Sequence, residues 1–524
     1  MTCMDKKINL DQAKLRLFAI FFAMAFIIYF PGIYNTLPNP DAVWNSTVYK
    51  AGYGWEVSLG RYLIALLQML RGNVVNTSFV SMISLLYLSL ICVLVVDILK
   101  ISGGLWQLIA GTLLMISPHV GSELTYYYCS DMYMFSYLLS VMAVWILVKR
   151  RSRLSVGISI LFIMGSLAVY QAYLGVTIAL CFLHLLTMML DTGSSLSDII
   201  RQAVKFFFSG VGGIILYLIS NKVIQNCLDI TATEDRGFAT MGFLNVRDIP
   251  GLLKDCYRFF YHYFFSDVML NNNSGGRRGI NLIFWLLCLL LAVLFLAGKQ
   301  LTSRKKVICA CMAFLLPMAF MSIVILAPEV SILDATGVLM LPAVSCVYLL
   351  PVILMQKLDF PCKRFKYFLH TIIFSSCIAV IWMLLILELS GQTYIKYNMI
   401  KTDSVADAMI YRIENEVDNS ENYRLCIIGN MEEGNYPEQY PELRESVKWT
   451  SAYHKTIWPG FFAAQSCWAA YFRDFCGKTY NFVGREDYEK IQDMNILESM
   501  ADFPDEGSMM VLDDMIIIRL SDDT

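Results

Sequence analysis

Apolar residues along this chain gather in long runs rather than at the alternating or 3.6-residue spacings of half-buried elements. Windows at 15–33, 79–99, 103–116, 134–148, 154–169, 173–190, 204–224, 280–297, 307–326, 338–355 and 367–389 are almost free of charge. Crossing about 30 Å of hydrocarbon takes roughly 17 to 25 mainly apolar helical residues. Helices satisfy their own backbone polar groups in lipid, so the pattern predicts a polytopic α-helical bundle of about 11 transmembrane helices. Lys6, Lys7, Lys14 and Arg16 precede or open the first window as in a secretory signal, but no small-x-small cleavage pattern follows, and the window is read as a span.

The polar segments between the windows are uneven. Those at 34–78, 117–133 and 225–279 and the tail from 390 exceed what a connection needs. In "GWEVSLGRYLIALLQMLRG" Val57, Leu63, Leu66, Leu67 and Leu70 recur at helical spacing beside Glu56, Arg61, Gln68 and Arg71, the pattern of a helix lying in the membrane interface. "IPGLLKDCYRFFYHYFF" repeats it, and an aromatic-belt anchor is the plainer reading of both. From Lys401 charge becomes dense. "DSVADAMIYRIENEV" reads as a helix capped by Thr402 or Asp403, while "RLCIIGN", "TYNFVG" and "SMMVLDDMIIIRL" read as short strands, the last a hairpin turning at Asp513 and Asp514. Two units are expected: a membrane part over 1–390 and a small extracytoplasmic α+β domain over 391–524.

Composition strengthens the membrane reading. Hydrophobic residues make up 57% of the 524 positions and charged ones 16%, with mean hydropathy +0.55, too apolar for a water-soluble globule of this length. Basic runs "KRRSR", "GKQLTSRKK" and "QKLDFPCKRFK" fall on one side with the N-terminus, which should be cytoplasmic, and the odd span count then puts the tail outside. The 15 cysteines show no metal-ligand spacing and read mostly as small hydrophobes. Cys467 and Cys476 either pair in an oxidising compartment or stay as free thiols.

Acids decide the chemistry. An ion-coupled transporter places ionisable groups near the bilayer midplane, yet Asp97, Asp191 and Glu388 lie near span ends, and His184, the main exception, suits hydrogen-bonded packing better than a relay. The notable carboxylates line the outer rim instead: Asp41, Glu56, Glu123, Asp131, Glu329 and Asp334. Carboxylates, arginines and aromatic residues at a lipid–water boundary suit sugar transfer from a lipid-phosphate donor. A carboxylate acts as general base on the acceptor hydroxyl, which is worth about 10² to 10⁴ in rate. Arg61, Arg277 or Arg278 can hold the departing phosphate through a bidentate fork, although each equally suits a lipid headgroup. Tyr126, Tyr127 and Tyr128 in "TYYYCSDMYMFSY" can stack on sugar faces, or anchor the interface. Asp41, in "NTLPNPDAVWN" directly after the first span, is the foremost base, with a turn-forming aspartate after Pro40 as the plainer reading. Glu123 and Asp131 come second.

The order of "NPDAVWN", "SLGRYL", "ISPHVGSELTYYYCSDMYMFSYLLSV" and "YQAYLGV" resembles the bacterial glucosyl transferase family typified by phage-encoded enzymes of O-antigen serotype conversion, multi-span proteins of the GT-C class. The resemblance covers roughly 15–390, and "FPDEGSMMVLDDMIIIRLSD" looks like the outer domain of some members. It implies a GT-C-like bundle that moves glucose, or a related hexose, from a polyprenyl-phosphate carrier to a cell-surface glycan on the outer face of a bacterial cytoplasmic membrane. Such enzymes carry their acid in the first outer loop, where this chain has Asp41 and Glu56; the role passes first to Asp41. Tyr62 stands where members commonly have Trp after "GR". No metal, cofactor or nucleic-acid partner is expected; the partners are the lipid-linked donor, the glycan acceptor and the bilayer.

Rival readings are separable. A lipid-linked glycan flippase needs a polar path, and the spans offer little beyond small residues such as "SGVGGIILY". A glycan polymerase or ligase shares the outer arginines, and "NNNSGGRRG" keeps it open. A surface protein merely anchored by its spans would not need so many. Matches to Asn-x-Ser/Thr at Asn45, Asn76 and Asn272 matter only in a glycosylating host.

Overall fold

A computed structural model of the chain describes residues 3–50, 52–150, 152–233, 247–266, 275–298, 301–326, 337–358, 363–431, 456–458 and 462–521. Glu329, Asp334 and Asn272 lie outside the described residues. The helices, in chain order, are α1 (Cys3–Tyr34), α2 (Pro40–Trp44), α3 (Gly52–Ser58), α4 (Tyr62–Leu70), α5 (Thr77–Ile98), α6 (Gly104–Met115), α7 (Pro118–Leu124), α8 (Ser130–Lys149), α9 (Arg153–Val169) and α10 (Leu174–Leu190). They continue with α11 (Leu196–Leu228), α12 (Ile249–Phe265), α13 (Gly275–Ala297), α14 (Ser303–Phe320), α15 (Ser322–Leu326), α16 (Leu350–Lys357), α17 (Lys363–Glu416), α18 (Ala463–Asp474) and α19 (Arg485–Gln492).

Among the described residues 7 helices are long and apolar enough to cross a membrane: those over Gln12–Tyr34, Thr77–Ile98, Ser130–Lys149, Gln171–Leu190, Leu196–Leu228, Gly276–Ala297 and Lys363–Glu416. The chain is a largely helical membrane protein. The other four expected windows take different forms. The 12-residue α6 and 17-residue α9 are short. α14 stops at Phe320 three residues after its internal Pro317. The window at 338–355 becomes two 3-10 segments, Gly337–Met340 and Val344–Leu349, then α16. Pro342 interrupts the first pair, and Pro351 sits in the first turn of α16, where its missing N–H costs nothing.

Small hydroxyl residues bring the central helices together. Ser84 of α5 meets Ser130 of α8 at 3.0 Å, and Ser140 of α8 meets Ser166 of α9 at 2.8 Å. Close approach through small side chains is how helices associate where lipid removes the hydrophobic drive. The antiparallel α5 and α8 define the two ends of the bundle. At one end Asp97 accepts from Lys14 at 3.0 Å, Lys149 at 2.8 Å and Trp145 at 2.9 Å. Asp191 is paired with Lys357 at 3.4 Å, in the basic connections. His184 bonds the Ile98 carbonyl at 3.0 Å and is buried, as expected of a packing residue. At the opposite end gather Asp41, Glu56, Arg61, Arg71, Glu123 and Asp131.

The 54-residue α17 runs unbroken through the expected junction at 390/391, so Thr402 and Asp403 lie inside a helix rather than capping one. Thr402 Oγ1 donates back to the Asn398 carbonyl at 2.8 Å. Beyond it β1 (Arg424–Ile428), β2 (Asn481–Phe482), β3 (Met509–Leu512) and β4 (Met515–Arg519) form one sheet in the order β2-β1-β4-β3. β1 runs parallel to β2 and β4, and β3–β4 is the hairpin, with Asp513 at φ 53° in its turn. Leu425 and Ile427 face a cluster with α17 and α18, whereas Cys426 and Ile428 face α19, the two-residue period of a strand covered on both sides. Cys467 and Cys476 are free thiols.

Candidate active site

The first loop folds as three short helices over the end of the bundle. After α1 the backbone turns at Thr36, at φ 48°, and Asn39 caps α2 by accepting from the Ala42 N–H at 2.8 Å. Pro40 opens α2 rather than only closing α1, and Asp41 stands half-buried in its first turn. Asn39 also donates to Thr125 Oγ1 at 3.2 Å, which joins α2 to the segment after α7. Asn45 returns to the Asp41 carbonyl at 2.9 Å and accepts from the Lys50 N–H at 2.7 Å.

The interface helix expected over the "GWEVSLGRYL" stretch is broken between α3 and α4 at Gly60, whose φ is 72°. A Cβ there would overlap the Tyr217 hydroxyl. Tyr217 donates to the Gly60 carbonyl at 3.1 Å and Gln171 to the Leu59 carbonyl at 2.8 Å, so the break is held by α11 and by the 3-10 turn that precedes α10. It turns Arg61 inward. The guanidinium lies 4.8 Å from the centre of the Tyr170 ring and interacts with Glu56, Tyr133 and Tyr128. Glu56 is 5% exposed. Burial raises its carboxyl above the usual range, against the pull of Arg61 and of a hydrogen bond from Tyr49. Tyr49 stacks on Tyr128 at 5.7 Å. Tyr62 bonds Ser220 at 2.7 Å.

Each expected site residue now has a place. Asp41 lies near enough to Tyr128 and Cys467 for its charge to act on both; burial first, and Asp41 with it, holds the Cys467 thiol up. Asp131 is spanned by Arg71, at 3.2 Å and 3.1 Å to its two oxygens, and Arg71 also donates to Gln68 at 2.7 Å and to the Tyr128 carbonyl, the geometry of a strut. Glu123 is fully buried; Tyr173 donates to one carboxyl oxygen, and the other has no partner among the described residues. Burial pushes its carboxyl up to about 8, against the Tyr173 hydrogen bond. Tyr127 and Tyr128 are buried at 4% and 7% exposure, and Tyr128 gives a face to Tyr49, so of the three expected stacking tyrosines only Tyr126 is partly open. Arg277 and Arg278 begin α13, which packs on α12, α16 and α17 rather than on the first-loop helices.

Sequence reasoning missed the aromatic cage around Arg61. Tyr133 and Tyr170 sit 4.7 Å apart, and Tyr137 stacks on Tyr173 at 4.9 Å. The pairs "YQAY" and "MYMFSY" were the visible signal, since Tyr170 and Tyr173, like Tyr133 and Tyr137, recur at one-turn spacing. Among the described residues no three His, Cys, Asp or Glu side chains converge to hold a metal ion. The arrangement sets the half-buried Asp41 carboxylate within reach of Tyr128, which also borders the aromatic-walled Arg61 guanidinium.

No curated protein and no solved structure matches the chain. The family model "Glucosyl transferase GtrII" matches residues 45–344. Glu56, Arg61, Arg71, Glu123, Asp131 and the aromatic cage fall inside that stretch, while α2, with Asp41, lies just ahead of it and α18 lies beyond. The match covers more than half of the 524 residues, and the chain belongs to the GtrII glucosyl transferase family.

Proposed function

We propose that the protein moves a glucosyl unit from a polyprenyl-phosphate carrier to a cell-surface glycan, at the end of the bundle that carries Asp41, on the outer face of a bacterial cytoplasmic membrane. Asp41, whose charge reaches Tyr128 of the cage around Arg61, is the observation that carries this reading, together with membership of a glucosyl transferase family. The acceptor hydroxyl gives its proton to the Asp41 carboxylate as its oxygen attacks the anomeric carbon, and the carbon–oxygen bond to phosphate breaks. Polyprenyl phosphate leaves with the bonding electrons. Arg61 holds the phosphate through its forked donors, and Glu56 and the tyrosines fix the guanidinium. The donor's lipid chain would stay in the bilayer beside the membrane part. The tail over 391–524 is then an extracytoplasmic domain.

The test is turnover in reconstituted membranes supplied with radiolabelled polyprenyl-phosphate glucose and a glycan acceptor. Asp41→Asn should lower kcat by about 10² or more, the usual share of a general base. Unchanged turnover in that variant removes Asp41 from the reaction. Absence of turnover by the wild type with every polyprenyl-phosphate sugar favours a transporter.

A further inference from the structure

The five-residue α2 is too short to hold its shape alone, because isolated helices under about 12 to 15 residues are marginal in water. Something must fix the helix that carries Asp41. Two bodies do so, on adjacent residues. Ala42, fully buried, belongs to the core of the membrane bundle, while Val43, equally buried, packs with Ala464, Cys467 and Trp468 of the tail. Polar contacts repeat the division. Asn39 reaches Thr125 on the bundle side, and on the other side Cys467 Sγ donates to the Pro40 carbonyl at 3.6 Å.

The end of α2 is held by α18 as well. Ser46 Oγ donates to Asp474 Oδ2, and Thr47 Oγ1 approaches the same oxygen at 3.4 Å. Asp474 is oriented by Arg473, which donates to both of its oxygens at 2.6 Å and 2.7 Å, and its side chain is 8% exposed. Burial opposes its charge, but the hydrogen bonds from Arg473 and Ser46 hold its carboxyl below the usual range. The helix α18 is itself braced on the sheet, where Gln465 bonds the Ile427 backbone, and on α17, where Tyr471 donates to Asp403 at 2.5 Å. The contacts of residues 40–47 with α18 join segments more than 400 residues apart in sequence.

We propose that Asp474, through Ser46, is a positioning residue for Asp41, and that the tail serves the reaction by clamping α2 against the bundle. The inference rests on the reading of Asp41 as the base. Asp474 touches no reacting atom in this account. It sets where the carboxylate stands, and a misplacement of about 1 Å can cost on the order of 10²-fold in rate.

The experiment uses the full chain in lipid nanodiscs, with Ser46→Ala, Asp474→Ala and the double variant. Each single change should lower kcat by about 10- to 100-fold with the donor KM unchanged, and the double variant should be no worse than the worse single one, because both break the same link. Hydrogen exchange of the α2 amides should quicken about 10-fold in all three while β1 and β4 keep their protection. Unchanged α2 exchange overturns the clamp. A KM effect without a kcat effect, or faster exchange spread evenly through β1 and β4, overturns the positioning role in favour of binding or plain folding. If the wild type transfers no sugar at all, the reading of Asp41 as a base falls by itself, and the exchange of α2 still decides whether α18 holds it.

Discussion

Two residues of the site carry consequences that separate geometry from chemistry. Gly60 combines a left-handed backbone with an approach too close for any side chain, so Gly60→Ala must move Tyr217 or swing α4 away, and Arg61 with it. Gly72 has φ 69° but open space around it, which makes Gly72→Ala a control that meets only the backbone penalty of roughly 1–2 kcal/mol. Both variants should lose thermal stability in detergent; Gly60→Ala should lose more, and should also lose glucosyl transfer where Gly72→Ala keeps it. Glu123 gives a pH test. Its carboxyl is pushed from 4.5 up to about 8 by burial, so it favours the fold when protonated. That contribution is whole below about 4.5 and is lost as pH rises through about 8, with stability falling across the window. Glu123→Gln, which cannot ionise, should flatten the melting temperature between pH 5 and 9, at about these values, and should be the more stable protein at the alkaline end. A wild-type melting temperature that does not fall over this window rules out a buried, titrating Glu123.

At the scale of elements, the Arg71–Asp131 strut ties α4 to the start of α8 and sets Asp131 apart from Asp41. Breaking one partner leaves the other charge part-buried, so Asp131→Asn should cost about 1–3 kcal/mol of stability and leave transfer within about tenfold of wild type once the protein is folded. Turnover and melting temperature measured together check this; a fall in kcat as deep as that of Asp41→Asn would return Asp131 to the chemistry. The contrast also marks what the sequence made legible. Long spans such as α5, α8 and α11 announce themselves because continuous apolar runs need no partner to be recognised. Segments whose form is set by tertiary contact do not: the 3-10 turns around Pro342 follow from packing on α7 and α10, and the break at Gly60 follows from Tyr217 and Gln171. Charge density from Lys401 suggested a boundary near 390, yet no proline interrupts the stretch from Lys363 to Glu416, and the helix simply continues. For the site, Asp41, Glu56 and Arg61 stood out as charged residues in an apolar context. Tyr133 and Tyr170, and the grip of α18 on α2, did not, because periodicity along one element says nothing about which distant element it meets.

For the whole molecule, α17 is the member that decides geometry. Its 54 residues span about 80 Å at 1.5 Å each, far more than the roughly 30 Å of hydrocarbon, so it carries the chain from the basic end of the bundle across and well past the opposite end. The sheet and α18 therefore sit where α2 can reach them, and residue 41 and the tail share one end of the bundle while Lys149 and Asp97 mark the other. Sidedness is measurable with a membrane-impermeant maleimide on intact cells, after Cys227 and Cys311, exposed among the described residues, and also Cys3 and Cys362 have been replaced. Thr47→Cys and Lys478→Cys, both at exposed positions, should label without permeabilisation, and Arg153→Cys and Arg304→Cys, also exposed, only after it. The two pairs test different statements. Labelling of Thr47→Cys and Lys478→Cys from opposite sides contradicts the packing of α2 on α18 and removes the clamp together with the site. Labelling of both from within leaves the fold intact and turns the enzyme inward, where a surface glycan is out of reach and the donor must be met on the cytoplasmic leaflet. The positive residues favour the outward arrangement, because Lys149, Arg150, Arg153, Arg304, Lys305 and Lys306 all lie at the end away from Asp41, and such residues resist translocation.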